Sequence, residues 1–230
     1  MFLALFRPVK AFNQLKTESF SVMSLILLLF LMLVNLILLI PITEKVTLLI
    51  YSSMALPENQ LDTMMQVAHK MRYLQTAGTT IFYLIMLLFY ALLLFVFVRI
   101  AKDKLAYKKA LQLMVYSYFI VAIGDLVNTT LLYVRGLDAI TNIYNTSLIG
   151  LNLLTSVEQV GATFYTFLGY ITPFQLGFML LLSIGLKIFT DMQYVKALII
   201  SLILWLITIL IPTLTIYFSQ LTVENAGFIQ

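Results

Sequence analysis

The stretch MVYSYFIVAIGDLVNTTLLY, residues 114–133, lies within the third of five long apolar runs, 110–134. The midpoint of this run falls near Ala122. Asp125 is therefore displaced from the bilayer centre by only about 4.5 Å along a helix. A charged carboxylate at that depth costs on the order of 3 kcal/mol. We expect Asp125 to face other protein or water rather than lipid.

The composition is that of a membrane protein. Of the 230 residues, 62% are hydrophobic and 10% are charged, and the mean hydropathy is +1.01. Soluble domains are about 45–50% apolar and about 25% charged. The net charge of +4 does not indicate a nucleic-acid partner, because the basic residues stand at the ends of the apolar runs, where they set membrane topology.

The apolar runs predict an all-α fold, an integral membrane bundle of five transmembrane helices with additional interfacial amphipathic helices. Residues 1–19 are expected to form a cytosolic interfacial lead-in, either a helix lying on the headgroups or an ordinary basic terminus. Residues 219–230 are expected to form an outer tail. The membrane domain, 20–218, is expected to contain spans at about 20–40, 79–98, 110–134, 173–190 and 197–218.

The connection between the first two spans, residues 42–77, predicts a helix of its own. Span 1 is expected to stop at Pro41, and Pro57 fits the first turn of the new helix. Helical spacing then places Met64 and Met71 on an apolar face, opposite a polar face that includes Arg72. This helix is expected to lie flat on the membrane or to cap the bundle.

Two capping patterns predict helix starts before span 4. Thr155 and Glu158 form a T-x-x-E capping box, which indicates a short helix beginning near residue 156. Thr172 followed by Pro173 places the start of span 4 at that proline.

The distribution of basic residues predicts the orientation. With the N-terminus inside, ten of the 14 Lys and Arg residues lie on the inner side and four on the outer side. Lys and Arg are enriched in cytoplasmic segments. We therefore expect a bacterial inner-membrane protein with a cytoplasmic N-terminus and an external C-terminus.

Polar side chains of span 3 form one broad helical face. Asp125 lies seven residues after Tyr118, and Asn128 and Thr129 lie three and four residues after Asp125. Together with Asn35 of span 1 they are the candidate intramembrane polar site. One interpretation is a structural contact, in which Asp125 and Asn128 bond partners such as Asn35 or a backbone carbonyl. The other is the lining of a path for water, ions or lipid headgroups.

A basic loop separates spans 2 and 3. It is a topology signal, and it is also a candidate for contact with anionic lipid, at about 1 kcal/mol per basic residue near the surface. The candidate lipid contacts are Arg99, Lys102, Lys104, Lys108 and Lys109.

Enzymatic chemistry has little support. Gly124-Asp125 is similar to part of the G-x-G-D motif of intramembrane aspartyl proteases, but Ala122 replaces the first glycine and no other span carries a deep acid. The chain has no cysteine and one histidine, His69. No two glycines are four residues apart, so a GxxxG seam is absent. We expect no catalytic residue, no cofactor and no metal site.

Several short motifs together resemble the Yip family, five-span membrane proteins named for interaction with Ypt/Rab GTPases, in its short prokaryotic form. The resemblance covers most of the chain, and its clearest part lies in the last two spans. Its motifs are Arg7-Pro8-x-x-Ala11-Phe12, Tyr107-Lys108-Lys109-Ala110-Leu111, Val115-Tyr116-Ser117-Tyr118, Thr172-Pro173-Phe174-Gln175-Leu176, Gly185-Leu186-Lys187, Tyr194-Val195-Lys196-Ala197-Leu198 and Trp205.

The resemblance implies an N-inside, C-outside bundle without established enzymatic chemistry. Two family features are missing: a proline after Tyr118, and the Asp-Leu-Tyr-Gly-Pro motif in the long N-terminal region of eukaryotic members. The second absence weakens the case for GTPase binding. We expect a non-enzymatic membrane-organising or adaptor protein with membrane lipids as partners, and a homo-oligomer or a membrane-protein partner stays open. The alternative is a small transporter, channel or lipid-translocating protein with a polar path at Asp125 and Asn128.

Overall fold

In the computed structural model of the chain, residues 5–53, 58–140, 144 and 146–225 are described, and their regular structure is helical, with no strand among them. They include two short 3-10 helices, Leu137–Ala139 and Leu151–Leu154. The α-helices in chain order are α1 Pro8–Thr17, α2 Val22–Leu38, α3 Ile40–Ser53, α4 Glu58–Ile100, α5 Tyr107–Arg135, α6 Val157–Val160, α7 Ala162–Tyr170, α8 Pro173–Thr190 and α9 Tyr194–Asn225.

Among the described residues, four helices are long and apolar enough to cross a membrane, namely α4, α5, α8 and α9. Helices α2 and α3 pass the same test as a pair that is bent by 45°. If the bent pair is one broken span, the described residues contain five spans. The predicted all-α membrane fold is confirmed.

Backbone contacts divide the chain into two compact units whose segments alternate along the sequence. Helices α2, α4, α5 and α9 each contribute residues to both units. The first unit consists of Met1–Leu33, Thr80–Asp125 and Pro173–Thr208, and the second unit consists of Val34–Thr79, Leu126–Thr172 and Ile209–Gln230.

In the first unit, α8 packs closely against α5 because glycines leave room for the side chains opposite. A Cβ atom on Gly124 of α5 would lie 2.5 Å from Cγ of Phe174. A Cβ atom on Gly177 of α8 would lie 2.6 Å from Cδ1 of Ile120. Small residues allow membrane helices to approach each other in this way. The absence of a GxxxG pattern therefore did not exclude close helix packing at glycines, because Gly124 and Gly177 lie on different helices.

Helix α1 packs against α8 in the same unit. It begins at Pro8, where a missing backbone N–H costs nothing. Phe12 is fully buried, its ring lies 6.4 Å from that of Phe189, and it approaches Gly185. Phe6, by contrast, is 82% exposed. The lead-in therefore contains a helix that packs one face against the protein, and apolar side chains are exposed on its other side.

Helix α2 ends at Leu38, close to the predicted end of span 1, but Pro41 does not end the helical segment. The chain bends at Leu39 and continues as α3, with Pro41 in the first turn, where proline is tolerated. Beyond the bend, Ile42 is buried against Leu132 of α5 and Ile140. This apolar contact in the second unit explains why the chain stays helical past the proline.

The separate flat helix predicted within residues 42–77 is wrong. Residues from Glu58 onward are the first turns of α4, which continues unbroken to Ile100. Its 43 residues extend about 65 Å, more than twice the roughly 30 Å of bilayer hydrocarbon. The N-terminal half, which carries the charges, therefore extends outside the hydrocarbon. Pro57 lies outside the described residues, as does the end of the predicted tail, 226–230.

One residue of the predicted polar face departs from the prediction: Asp62 and Lys70 are exposed, but Arg72 is buried. Arg72 is only 8% exposed and forms an ion pair with Glu44 of α3 in the second unit. Met64 and Met71 are 41% and 52% exposed. A buried guanidinium requires an opposite charge, and Glu44 provides it. Helical spacing predicted which residues share a face, but not which face the neighbouring helix covers.

Helix starts before span 4 match the sequence closely. The capping box is shifted by one residue from the predicted Thr155 and Glu158: Ser156 is the N-cap and Gln159 is its N3 partner. Helix α8, Pro173–Thr190, has the bounds predicted for span 4. Helices α5 and α9 extend the predicted spans 3 and 5 at both ends.

We expect Gly124→Ala to lower the free energy of unfolding by about 1–3 kcal/mol, because the new methyl group would overlap the Phe174 ring. Gly78→Ala is the control: no described atom lies within 4 Å of the added Cβ, and helix propensity improves by about 1 kcal/mol. Thermal unfolding in detergent measures both. Equal midpoints for the two variants would contradict the close contact of α8 with α5.

Candidate functional site

Asn35 of α2 and Thr129 of α5 form a buried hydrogen bond in the second unit. The Thr129 hydroxyl donates to Oδ1 of Asn35 over 2.7 Å, and the residues are 1% and 9% exposed. Polar groups in an apolar environment are costly unless they are hydrogen-bonded. The bond therefore joins two helices at membrane depth. Asp125, suggested from the sequence as a partner for Asn35, does not make this bond.

Asn128 holds the connection that follows α5. Its Nδ2 donates to the carbonyl of Thr146 over 2.9 Å, and its Oδ1 accepts the N–H of Leu148 over 2.7 Å. Both ends of the carboxamide are thus bonded to backbone within the second unit. The Asn128 side chain thus holds the backbone of the loop against α5, which makes Asn128 a structural residue.

Tyr118 and Asp125 belong to the first unit. The Tyr118 ring packs edge-to-face on Phe178 of α8, with ring centres 5.7 Å apart. Asp125 is exposed on α5, and within the described residues its carboxylate has no hydrogen bond or ion pair. An exposed residue at this depth contacts lipid, water or another protein, and lipid is the costly choice for a carboxylate.

The five predicted polar residues therefore do not converge on one site. Asn35 and Thr129 bond each other, Asn128 bonds a loop, and Tyr118 packs on an aromatic ring. Only Asp125 presents an unbonded polar group. Helical spacing placed the α5 residues on one face, but each position along that face meets different surroundings.

A charged cluster in the second unit was not predicted. Besides the Glu44–Arg72 ion pair, His69 Nδ1 lies 3.3 Å from Nη1 of Arg72 and 3.5 Å from Oε1 of Glu44. These residues line a surface cavity of about 680 Å³ together with Asp62 and Lys70. The sequence offered one signal for this cluster: Arg72 belongs to an amphipathic segment, and the acidic residue Glu44 lies in the segment that precedes it. In the described ranges, no group of three or more His, Asp or Glu side chains has the arrangement of a metal site.

In the first unit, Lys109 caps α1 from the start of α5. Its ammonium group donates to the backbone carbonyls of Leu15, Lys16 and Glu18 over 2.9, 3.1 and 2.5 Å. Carbonyls at the end of a helix lack intrahelical donors and carry partial negative charge, which a cation satisfies. The Lys109 ammonium also lies 5.5 Å from the centre of the Phe189 ring. Of the five candidate lipid contacts, Lys109 is thus already bonded to protein.

Two ion pairs join the segments expected on the inner side. Lys16, in the last turn of α1, pairs with Asp191, in the turn between α8 and α9, over 3.0 Å. Lys196 of α9 pairs with Asp103, in the loop after α4, over 2.5 Å. The lead-in, the basic loop and the last turn are therefore connected within one unit rather than isolated.

The other four candidate lipid contacts are exposed. Lys102 and Lys104 lie in the loop between α4 and α5, and Lys108 is in the first turn of α5. The Arg99 guanidinium, at the end of α4, lies 5.3 Å from the centre of the Phe95 ring. Four cationic groups within ten residues give the loop a positive surface that can bind anions.

The comparisons with known proteins identify one family. A family model described as the Yip1 domain matches residues 2–215, nearly the whole chain. No curated protein matches the chain, and no solved structure does.

We expect Thr129→Val to lower the free energy of unfolding by about 1 kcal/mol, because it leaves the buried Oδ1 of Asn35 without its donor. Thr130→Val is the matched control, since the exposed Thr130 hydroxyl bonds only the carbonyl of Leu126 in its own helix. Unfolding in detergent is followed by circular dichroism. Identical stabilities for the two variants would mean that the bond contributes nothing.

Proposed function

The chain belongs to the Yip1 domain family, and from this premise we propose that it is a non-enzymatic membrane-organising or adaptor protein. It acts by binding at the membrane surface, and anionic lipid is one of its ligands. The observation that carries the proposal is the basic loop between α4 and α5. Four cationic side chains in and beside this loop are exposed, and the loop lies close to α1, the helix that packs on α8. The fifth, Lys109, fixes that helix in place.

Helix α1 adds further basic side chains and an exposed apolar side chain to this surface. Arg7 and Lys10 are exposed on and beside α1, and Phe6 next to them is exposed as well. A basic and apolar combination is typical of segments that bind the interface of an anionic membrane. The ion pairs Lys16–Asp191 and Lys196–Asp103 hold the surrounding segments as one surface.

This surface is proposed to face the cytoplasm of a bacterium, with the protein in the inner membrane, the N-terminus inside and the C-terminus outside. The support is the excess of basic residues in the short segments on that side, ten against four.

We expect the double variant Lys102→Gln, Lys104→Gln to weaken anionic-lipid binding by about 2 kcal/mol, about 30-fold in the association constant. Lys70→Gln, Arg135→Gln is the matched control, because it removes two exposed cations from the other predicted side. The readout is the motionally restricted fraction of spin-labelled phosphatidylglycerol around protein reconstituted in phosphatidylcholine. Equal losses in both variants would exclude the basic loop as the lipid-binding surface.

A second function, a small transporter, channel or lipid-translocating protein, is favoured by one observation. The carboxylate of Asp125 is exposed on a membrane-spanning helix and, within the described residues, unbonded. A water-filled or headgroup-filled path beside α5 would solvate it. Asn128 is bonded at both ends and would not contribute to that path.

Under this second function we expect Asp125→Asn to reduce lipid scrambling or ion flux in reconstituted vesicles by about tenfold or more, because the path loses its charge. Asp138→Asn is the control: its carboxylate is exposed just after α5 and pairs with Lys45. If the wild-type chain shows flux that Asp125→Asn leaves intact, the path does not use Asp125. If the wild-type chain shows none, the second function is wrong.

A further inference from the structure

The extramembrane part of α4 carries a continuous line of exposed apolar side chains. Met64, Val67, Met71 and Leu74 are 41%, 55%, 52% and 66% exposed. Their spacing of three, four and three residues is that of the a and d positions of a heptad repeat. The stripe lies away from Arg72, which faces Glu44 of α3.

The hydrocarbon of the bilayer does not cover this stripe. The uncharged span of α4, residues 79–98, already fills the roughly 30 Å of hydrocarbon, and the stripe begins beyond it. Single exposed apolar residues are ordinary on a protein surface, but a contiguous line of them in water marks an interaction surface.

The same repeat continues along α4 into the span. The a and d positions there are mainly large aliphatic residues, all of them exposed. Gly78 occupies the a position between the two parts, and no described atom lies within 4 Å of a Cβ added there. In order, the remaining exposed positions are Ile81 at 60%, Ile85 at 55%, Leu88 at 36% and Leu92 at 47%.

We propose that α4 pairs with α4 of a second copy of this chain, as a parallel, left-handed coiled coil that extends from the membrane. Two copies inserted in the same direction can meet about a two-fold axis along the membrane normal, which brings identical stripes together in parallel. A repeat of 3.5 residues gives the left-handed supercoil. Gly78 lets the two backbones approach where the paired helices enter the membrane.

Charges beside the stripe are compatible with this pairing. In a parallel coiled coil, a g position faces the following e position of the partner helix. Lys70 at g would face Gln75 at e, and Thr63, Ala68 and Ala77 fill the neighbouring g and e positions without charge. Between residues 63 and 92, the part of α4 that carries the repeat, no like-charge pair opposes the dimer. The proposal is independent of lipid binding, since none of the basic-loop residues takes part.

The absence of cysteine from the chain makes disulfide crosslinking in membranes a direct test. We expect Leu74→Cys and Val67→Cys to form disulfide-linked homodimers rapidly on mild oxidation, because facing d positions lie close together. Tyr73→Cys is the matched control, since Tyr73 is 73% exposed against 66% for Leu74 but lies at a c position. Two differently tagged copies, expressed together and diluted in excess lipid, show that the linked partner is the same chain.

A several-fold higher dimer yield at Leu74→Cys and Val67→Cys than at Tyr73→Cys supports the proposal. Equal yields at Tyr73 and Leu74 would indicate random collision and overturn it. Crosslinks to a different protein, or none at the two d positions, would overturn it as well. Because all three changes are at exposed positions, each variant is expected to fold, and circular dichroism checks this.

Discussion

The fold depends on one constraint, that polar groups at membrane depth must be bonded by the protein itself. Water is absent from the hydrocarbon, and each unbonded group costs several kcal/mol. The Thr129–Asn35 bond meets this need between two helices, and Asn128 meets it by holding the backbone of a loop. The need is not met everywhere in the described residues: the buried side chains of Gln112, Ser117, Ser201 and Trp205 have no hydrogen-bond partner there. Asp125 differs from them because its unbonded carboxylate is exposed, so a partner or a path can reach it.

The same need for partners organises the polar ends of the helices. Arg72 is buried because Glu44 neutralises it, and this ion pair turns the apolar side of α4 outward. Lys109 satisfies the carbonyls at the end of α1 and so fixes the lead-in on the protein. Arg72 and Lys109 therefore both have structural roles that the sequence did not reveal. The side chains beside them in sequence form the exposed surfaces.

Two surfaces follow from this arrangement, one basic and one apolar. Binding is the use that we propose for both surfaces. The basic loop suits the phosphate-rich surface of a membrane, whereas the α4 stripe has the repeat of a helix-pairing seam. The proposed role in binding is compatible with membership of the Yip1 domain family.

Much of the local structure was predictable because local rules govern it. Hydropathy and length gave the membrane-spanning helices, and a proline after a capping threonine gave the start of span 4 at Pro173. The bend before Pro41 and the continuity of α4 were not predictable in this way. Both depend on contacts made elsewhere in the chain, such as that of Ile42 with Leu132 and Ile140.

For the candidate site, the sequence placed Asp125, Asn128 and Thr129 on neighbouring positions of one helix, and this was correct as far as it went. It could not assign their partners, because a partner depends on which helix lies opposite each turn. Helical class, the start of span 4 and the basic loop were determined by the sequence, through hydrophobicity, capping residues and charge. The partner of each polar side chain and the covered face of each helix were decided only by tertiary packing, because both depend on neighbours that are distant in sequence.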